Sequence, residues 1–315
     1  MPPRGSIRLH LGLAIPALVL AAFIVVGTSM ISPEFLTPGN LGNLANRLLP
    51  LALATLGASI VIISGGIDLS VGSVMSLVTA IMATLASQIG WVVIPVALAA
   101  GAVVGLANAG GILLLRINPL IMTLASATIV KGVTFLIMPR PGGEVDYAFY
   151  DWLFGSDALL APPFWSIVLA YAAGILLLGW TRSGRAIYAL GSDPRGAFAS
   201  GVSVGRITVL VYVIAGVLSA AAGIVLSIRI LSGDPLVGEP YTLDAIAAAI
   251  LGGIALKGGR GSVLGALLAA MVLVLLNNAM NLLDIDTNFQ AIAKGLVFVT
   301  ALVVFTRGRR FGEAD

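Results

Sequence analysis

The chain has no cysteine, a single histidine and few charges: only 10% of its 315 residues are Asp, Glu, Lys or Arg. The lack of cysteine excludes disulfide bonds and thiolate metal sites, and we expect no metal site of any kind. Charged residues make up about 25% of a soluble domain, whereas 59% of this chain is hydrophobic. The composition therefore excludes an ordinary soluble protein and indicates an all-α polytopic membrane protein.

Motifs for catalysis are also missing. No G-x-x-x-x-G-K-[ST] phosphate loop is present, because residues 252–259 hold glycines and a lysine in the wrong order. There is no H-E-x-x-H motif, and no nucleophile stands at helical spacing from a base, which argues against an intramembrane enzyme. We expect His10 to lie at the membrane interface rather than to act as a ligand. The chain is predicted to be non-enzymatic and to bind no cofactor itself.

Long apolar runs predict transmembrane helices. A bilayer core of about 30 Å needs about 20 apolar residues per helix, which gives about ten spans in one domain over 1–315, although nine or eleven also fit. The eighth span is short and runs into glycine pairs, so we expect it to be broken or to cross incompletely. The predicted spans are 11–30, 48–64, 70–88, 92–115, 119–138, 164–180, 207–229, 242–256, 262–282 and 289–306.

The charges between the spans predict an orientation. With the N-terminus in the cytoplasm, most acidic residues of the connections lie outside, and the basic exceptions there are Arg47, Arg140 and Arg229. This positive-inside distribution predicts that both termini are cytoplasmic. Of the 17 basic residues, 12 then lie inside: Arg4, Arg8, Arg116, Arg182, Arg185, Arg195, Arg206, Lys257, Arg260, Arg307, Arg309 and Arg310.

Two connections are long. Residues 139–163 lie outside and are acidic and aromatic. They are either an interfacial lid or docking surface for an extracytoplasmic partner, or a loop in the aromatic belt of the membrane interface. Residues 181–206 lie inside and hold four arginines.

The segment Ser64–Ser73 places a carboxylate and three glycines, Gly65, Gly66 and Gly72, between two apolar runs. An Asp at the centre of a bilayer helix costs about 2.5–3.5 kcal/mol, and each Gly costs about 1 kcal/mol of helix stability relative to Ala. The segment therefore predicts a broken helix at the cytoplasmic end of the second span, beside a transport pathway. Asp68 is either the N-cap of the next helix or a pathway group that hydrogen-bonds a polyhydroxyl substrate.

Two internal echoes accompany this segment. Residues 65–70 resemble 252–257, which predicts a second break at Gly252, Gly253, Gly258 and Gly259. Residues 130–135 resemble 293–298. Internal repeats with glycine-interrupted segments are a usual pointer to a transporter's binding region. In the predicted topology the first echo is parallel and the second antiparallel, so the two cannot belong to one simple duplication.

Polar residues inside the predicted spans are further pathway candidates, with interhelical hydrogen bonding as the alternative. Asp244 is the only other intramembrane acid, and Lys131 and Lys294 are expected to reach the outer interface. The cluster at 277–281 places amides on one helix face. The pathway candidates are Asp68, Ser70, Asn108, Thr123, Ser126, Asn277, Asn278 and Asn281, with Thr128 as a further polar residue.

Within the inner connection, residues 189–202 predict a short helix. Ser192 or Asp193 would be its N-cap, Pro194 its first residue and Gly201 its C′ residue. Such a capped helix presenting Phe198 suits insertion into a groove of a soluble partner, and a plain amphipathic connector is the alternative.

These residues resemble the permease subunits of ribose-, xylose- and galactoside-type ABC importers. The resemblance covers about residues 43–306 and is carried by the segments 65–73, 191–194, 243–253 and 258–265. It implies a sugar-like substrate, a dimer of permease subunits in a bacterial plasma (inner) membrane, ATPase subunits with ATP and Mg on the cytoplasmic side, and an extracytoplasmic solute-binding protein. The ATPase-coupling residues it implies are Gly191, Ser192, Asp193, Pro194, Ala197, Phe198 and Gly201.

One departure from the family lies in this loop. The family usually continues Asn-Pro-Glu-Ala-Ala, whereas this chain has Asp193-Pro194-Arg195-Gly196-Ala197. Arg in a first turn opposes the helix dipole, so a dedicated ATPase partner is expected. The resemblance leaves the substrate open among sugars, nucleosides and polyols. The alternative function is an ion-coupled secondary transporter or channel for a small polar solute, which would need a titrating acid in mid-membrane.

Overall fold

The computed structural model describes residues 22, 24–155, 162–286, 288–290, 292–293 and 295–296, which are mostly helical and contain no β-strand. Residues 24–31 are helical, and short 3-10 helices lie at Pro33–Leu36 and Gly90–Val92. The numbered α-helices are α1 (Pro38–Ile63), α2 (Val71–Ile89), α3 (Val93–Leu114), α4 (Pro119–Ile137), α5 (Tyr147–Phe154), α6 (Pro162–Trp180), α7 (Arg182–Ser192), α8 (Pro194–Ala199), α9 (Val204–Ile230), α10 (Glu239–Leu251) and α11 (Val263–Leu282).

Local capping signals decide where several helices begin. Asn118 accepts a hydrogen bond from the N–H of Leu120 (3.0 Å) and stands before Pro119 at the first position of α4. Thr181 caps α7 by accepting from the N–H of Gly184 (2.9 Å). Each cap satisfies a backbone donor that has no partner inside its helix.

Six helical stretches of the described chain are long and apolar enough to cross a membrane, so the expected count of about ten spans is not confirmed. One stretch, Val71–Leu114, has 44 residues and would be about 66 Å long if straight. It consists of α2 and α3, which turn at Gly90 (φ +54°) and pack against each other, so it provides two crossings. The predicted first and tenth spans, with His10 and Lys294, lie mostly or wholly outside the described residues.

The predicted eighth span is too short to cross. α10 has 13 residues and is about 20 Å long, against about 30 Å of hydrocarbon. After α9 the chain turns at Leu231 (φ +53°) and returns beside α2 without forming a helix. Side chains of α2 pair its backbone: Thr79 Oγ1 donates to the carbonyl of Asp234 (3.0 Å), and Ser76 Oγ accepts from the N–H of Gly238 (2.9 Å). Such pairing is what lets irregular backbone lie at membrane depth.

α1 is the central helix of the bundle and packs against α6, α9, α10 and α11. The pair α3 and α9 has the most extensive contact, which glycines make close. A Cβ on Gly101 would lie 2.3 Å from the carbonyl oxygen of Gly216, and one on Gly105 would lie 2.2 Å from that of Tyr212. Small residues that let backbones touch are typical of helix pairs in membranes.

The connection after α4 folds back onto the bundle. Gly142 exchanges backbone hydrogen bonds with Gly233 (2.9 and 3.0 Å). In α5, Phe149 is buried and its ring centroid lies 4.3 Å from that of Trp91, while Trp152 is exposed. Trp152 also contacts the Trp91 ring (5.5 Å between centroids), so both side chains pack on Trp91, and both interpretations of residues 139–163 stay open.

Candidate functional site

The first helix break lies where the sequence predicts it, between α1 and α2. The N–H of Gly65 donates to the carbonyl of Ile62 (2.9 Å), and that of Gly66 donates to the carbonyl of Val61 (3.0 Å). Gly65 has φ +87°, the left-handed conformation that ends a helix in a Schellman motif. Residues 66–70 then run without helical structure to the start of α2.

Thr123 of α4 pairs the backbone of this segment. Its fully buried hydroxyl accepts from the N–H of Leu69 (3.1 Å) and lies 3.1 Å from the carbonyl of Ile67, to which it can donate. The nearby Ser126 is buried and donates to the carbonyl of Thr123 on its own helix (3.1 Å). Both predicted pathway residues thus make structural hydrogen bonds.

Asp68 belongs to a buried polar cluster with Ser70 at the start of α2, Asn108 of α3 and Tyr212 of α9. Its Oδ1 accepts from the N–H (2.8 Å) and the hydroxyl (2.6 Å) of Ser70, and Ser70 Oγ accepts from Nδ2 of Asn108 (3.0 Å). The N-cap position of α2 is occupied by Ser70 rather than by Asp68, which lies two residues earlier. The expectation of a local backbone role for Asp68 agrees with this geometry, but its assignment as the N-cap was wrong by two positions.

Two buried atoms of this cluster have no hydrogen-bond partner among the described residues, Oδ1 of Asn108 and the hydroxyl of Tyr212. A Cβ on Gly66 would lie 2.5 Å from that hydroxyl, so Tyr212 lies directly against the break. Sequence reasoning missed Tyr212, although a tyrosine in the middle of an apolar span is a signal that could have found it. Asn108 lies about 9 Å from the end of α3 at Leu114, and Tyr212 about 12 Å from the start of α9 at Val204.

The second break has the same helix-ending geometry as the first. The N–H of Gly253 donates to the carbonyl of Ile250 (3.0 Å), that of Ile254 donates to the carbonyl of Ala249 (3.1 Å), and Gly253 has φ +91°. The structural equivalent of Gly65 is therefore Gly253, one residue later than the sequence echo predicts. Gly252 is the C-cap residue of α10, where a Cβ would lie 2.2 Å from the backbone N of Ala266.

Gly72, predicted as a helix-break glycine, is instead the second residue of α2. A Cβ there would lie 2.3 Å from the carbonyl oxygen of Gly238, and its N–H donates to Oγ1 of Thr242 (2.9 Å). The glycine is required by the close approach of α10 rather than by the break.

The two breaks meet each other and the end of α7 at one junction. The N–H of Gly259 donates to the carbonyl of Ile63 (2.8 Å). A Cβ on Gly258 would lie 2.7 Å from Cα of Gly65, and one on Gly191 would lie 1.9 Å from the Ile63 oxygen and 2.5 Å from N of Gly259. The three segments touch backbone to backbone, with no side chain between them.

Side chains of α7 hold the second break at this junction. The Tyr188 hydroxyl donates to the carbonyl of Gly261 (2.9 Å), and Oγ of Ser192 lies 3.4 Å from the carbonyl of Gly259. Burial raises the pKa of the Tyr188 phenol, which keeps it protonated as a donor.

The predicted capped helix follows directly as α8. Oδ1 of Asp193 accepts from the N–H of Arg195 (3.0 Å), Pro194 is the first helical residue, and Gly201 has φ +81° after the C-cap. The helix is only six residues long. Ala197 faces the protein, whereas Phe198 is 73% exposed.

The amides of α11 lie near its other end, away from the Asp68 cluster. Asn278 and Asn40 exchange two side-chain hydrogen bonds (2.8 and 3.1 Å), and Oδ1 of Asn281 accepts from Nε2 of Gln290 (2.9 Å). Asn277 is half-buried. A 440 Å³ cavity opens beside this pair, lined by Glu34, Thr37, Asn40, Asn43 and Leu282. The structure therefore separates the predicted pathway residues into two groups.

Comparisons with known proteins agree on one kind of molecule. Residues 40–304 match the family described as branched-chain amino acid transport system permease component. The chain is 38% identical over 288 residues to the ribose import permease protein RbsC of Bacillus subtilis (strain 168), covering 89% of each chain. It is 33% identical over 294 residues to the L-arabinose transport system permease protein AraH of Escherichia coli (strain K12), covering 92% of this chain and 89% of that one.

The chain is also 31% identical over 302 residues to the L-arabinose ABC transporter permease protein AraH of Azospirillum brasilense, covering 95% of this chain and 88% of that one. No solved structure matches it.

Proposed function

The chain belongs to the family of permease components of the branched-chain amino acid transport type, and from this we propose that it is the membrane-spanning subunit of an ATP-driven sugar importer. The observation that carries the proposal is the junction of α7 with both helix breaks. It connects the exposed helix α8 to the parts of the bundle that border the Asp68 cluster.

The substrate we propose is a small neutral sugar such as a pentose. The family description refers to amino acids, but the relatives similar over about nine-tenths of the chain are permeases for ribose and L-arabinose. The Asp68 cluster and the amides of α11 offer carboxylate, hydroxyl and carboxamide groups, which match the donors and acceptors of a sugar. We include Asp68, Ser70, Asn108 and Tyr212 in the pathway.

ATP would be hydrolysed on a separate subunit, because the sequence has no phosphate-binding loop of its own. Phe198 on α8 is the apolar anchor that a groove on such a subunit would accept. We propose that α7 and α8 face the cytoplasm, that two permease subunits form a dimer, and that an extracytoplasmic binding protein delivers the sugar to the opposite face.

Reconstitution tests this function. Proteoliposomes containing the chain, its ATPase subunit and its binding protein should take up labelled ribose or L-arabinose only when ATP is supplied inside. The chain alone should neither hydrolyse ATP nor transport. Uptake by the chain alone that collapses with an ionophore would establish the ion-coupled alternative instead.

Phe198→Ala tests the docking helix. Removing this exposed ring should abolish co-purification of the ATPase subunit while leaving the elution volume of the permease unchanged, since the ring makes little contact with its own chain. Ser200→Ala, at an exposed position of the same loop, is the matched control and should bind the ATPase subunit normally. Equal ATPase binding by Phe198→Ala and the control would contradict the assignment of α8.

A further inference from the structure

Lys131 of α4 and Glu239 of α10 form an ion pair. The sequence predicts only that Lys131 reaches the outer interface and does not indicate this partner. The ammonium donates to Oε1 of the carboxylate. The two side chains are 40% and 46% exposed, so neither charge is enclosed by the described part of the chain.

Helix lengths place this pair near mid-membrane. α1 has 26 residues, about 39 Å, and spans the bundle down to the junction at Ile63. α10 has 13 residues and ends at the second break, so its first residue, Glu239, lies about 20 Å from that break. Lys131 agrees with this depth, because it lies 12 residues, about 18 Å, from the inner end of α4.

A half-exposed ion pair at this depth is not compatible with a lipid environment. A charged side chain near the bilayer centre costs about 2.5–3.5 kcal/mol even on translocon scales, and charges within membranes almost always face a bundle interior or a water-filled cavity. In the working protein the exposed face of the pair must therefore meet water or the second permease subunit rather than lipid.

We propose that Lys131 and Glu239 line the aqueous pathway and form a subsite for the vicinal hydroxyls of the transported solute. An ammonium group donates only and a carboxylate accepts only, so adjacent hydroxyls can accept from Lys131 and donate to Glu239 together. An ion is attracted by one of the two charges and repelled by the other. The subsite would thus select neutral polyhydroxyl solutes over ions. This inference rests on the proposed function for its ligand, but not for the exposure of the pair to water.

Thiol labelling tests the water exposure. The chain has no cysteine, so Lys131→Cys and Glu239→Cys each introduce a single thiol. Both should react with a charged methanethiosulfonate reagent in permeabilised membranes, and saturating pentose should slow the reaction. The control is Ile129→Cys on the same helix, which is 65% exposed but apolar and expected to face lipid. Labelling of the pair no faster than the control would overturn the proposal.

Transport separates a solute contact from a purely structural ion pair. Lys131→Met and Glu239→Gln should each lower ATP-driven pentose uptake by about tenfold or more, the scale set by one lost hydrogen bond to a charged group. If the ion pair is only structural, the double variant contains no unpaired charge, and its uptake should recover towards the wild-type rate. A solute subsite predicts that the double variant stays as low as the single variants. Recovery would overturn the proposal.

The two hypotheses fail in distinguishable ways. If the wild-type complex takes up no sugar, the proposed function is wrong, and the labelling contrast between the pair and Ile129→Cys still decides whether the pair is wet. If the wild type transports while the double variant recovers, only the subsite is wrong.

Discussion

Replacing Thr123 by valine should destabilise the protein more than its single hydroxyl would suggest. The residue is fully buried in α4 and its hydroxyl accepts from the N–H of Leu69 (3.1 Å). It also lies 3.1 Å from the carbonyl of Ile67. Valine preserves the shape of the side chain, so packing changes little while both hydrogen bonds are lost.

The magnitude follows from which groups lose a partner. Leaving the partly buried N–H of Leu69 unpaired costs about 1–3 kcal/mol. The hydroxyl has one hydrogen, which the carbonyls of Ile67 and Pro119 share (3.1 and 3.0 Å), so the second loss is partial. We expect about 2–4 kcal/mol in total. This exceeds the ~0.6 kcal/mol average for side-chain hydrogen bonds between membrane helices. Those side chains can find new partners, whereas the fixed backbone at residues 67–69 cannot.

Unfolding by SDS in mixed micelles, followed by circular dichroism, measures this free energy. The matched control is Thr128→Val on the same helix, where the hydroxyl is exposed and donates to the carbonyl of Leu124 (3.1 Å); a change within about 0.5 kcal/mol is expected. Thr123→Ser should recover most of the loss. Equal free energies of unfolding for the two valine variants would refute the reasoning.

The remaining predictions concern the junction and the amide pair. Gly191→Ala should lower sugar transported per ATP hydrolysed by about tenfold, because its Cβ would displace the carbonyl of Ile63. Gly179→Ala, where a Cβ meets nothing within 4 Å, should transport normally, and equal ratios in the two variants would count against coupling through the junction. A double-mutant cycle of Asn40→Ala and Asn278→Ala should give a coupling energy of about 0.6–1.7 kcal/mol in SDS unfolding, whereas strictly additive losses would show that the two amides do not support each other.

The sequence predicts those features that depend on local chemistry. The end of α1 needs a residue at positive φ, and Gly65 provides it (φ +87°). The start of α8 needs an acceptor before a proline, and Asp193 with Pro194 provides both. Each signal acts within a few residues of the feature it creates, so no knowledge of the fold is needed to read it.

Features created by distant contacts could not be predicted in the same way. Thr123 is predicted to line a pathway, and nothing in the sequence indicates that its hydroxyl pairs with backbone 54 residues away. Asn278 pairs with Asn40, which is 238 residues distant. The eighth span is expected to be broken or incomplete, and α10 is indeed too short to cross, but the sequence does not show that the irregular backbone before Glu239 returns along α2. Its course depends on Thr79 and Ser76 of α2, which pair its backbone from 155 and 162 residues away.

The comparison of the two breaks decides what Asp68 does. Both breaks end a helix with the same glycine geometry, at Gly65 and at Gly253, but the second carries no carboxylate. An acid is therefore not needed to end either helix. Both breaks are followed by a non-helical run, but the two runs are held differently. In the second run backbone groups pair with each other and with Ile63, whereas in the first run Asp68 holds Ser70 with two hydrogen bonds and Ser70 accepts from Asn108. Asp68 thus positions the cluster. We expect a passing solute to bind the two cluster atoms that have no partner in the part of the chain that the structure describes, Oδ1 of Asn108 and the hydroxyl of Tyr212.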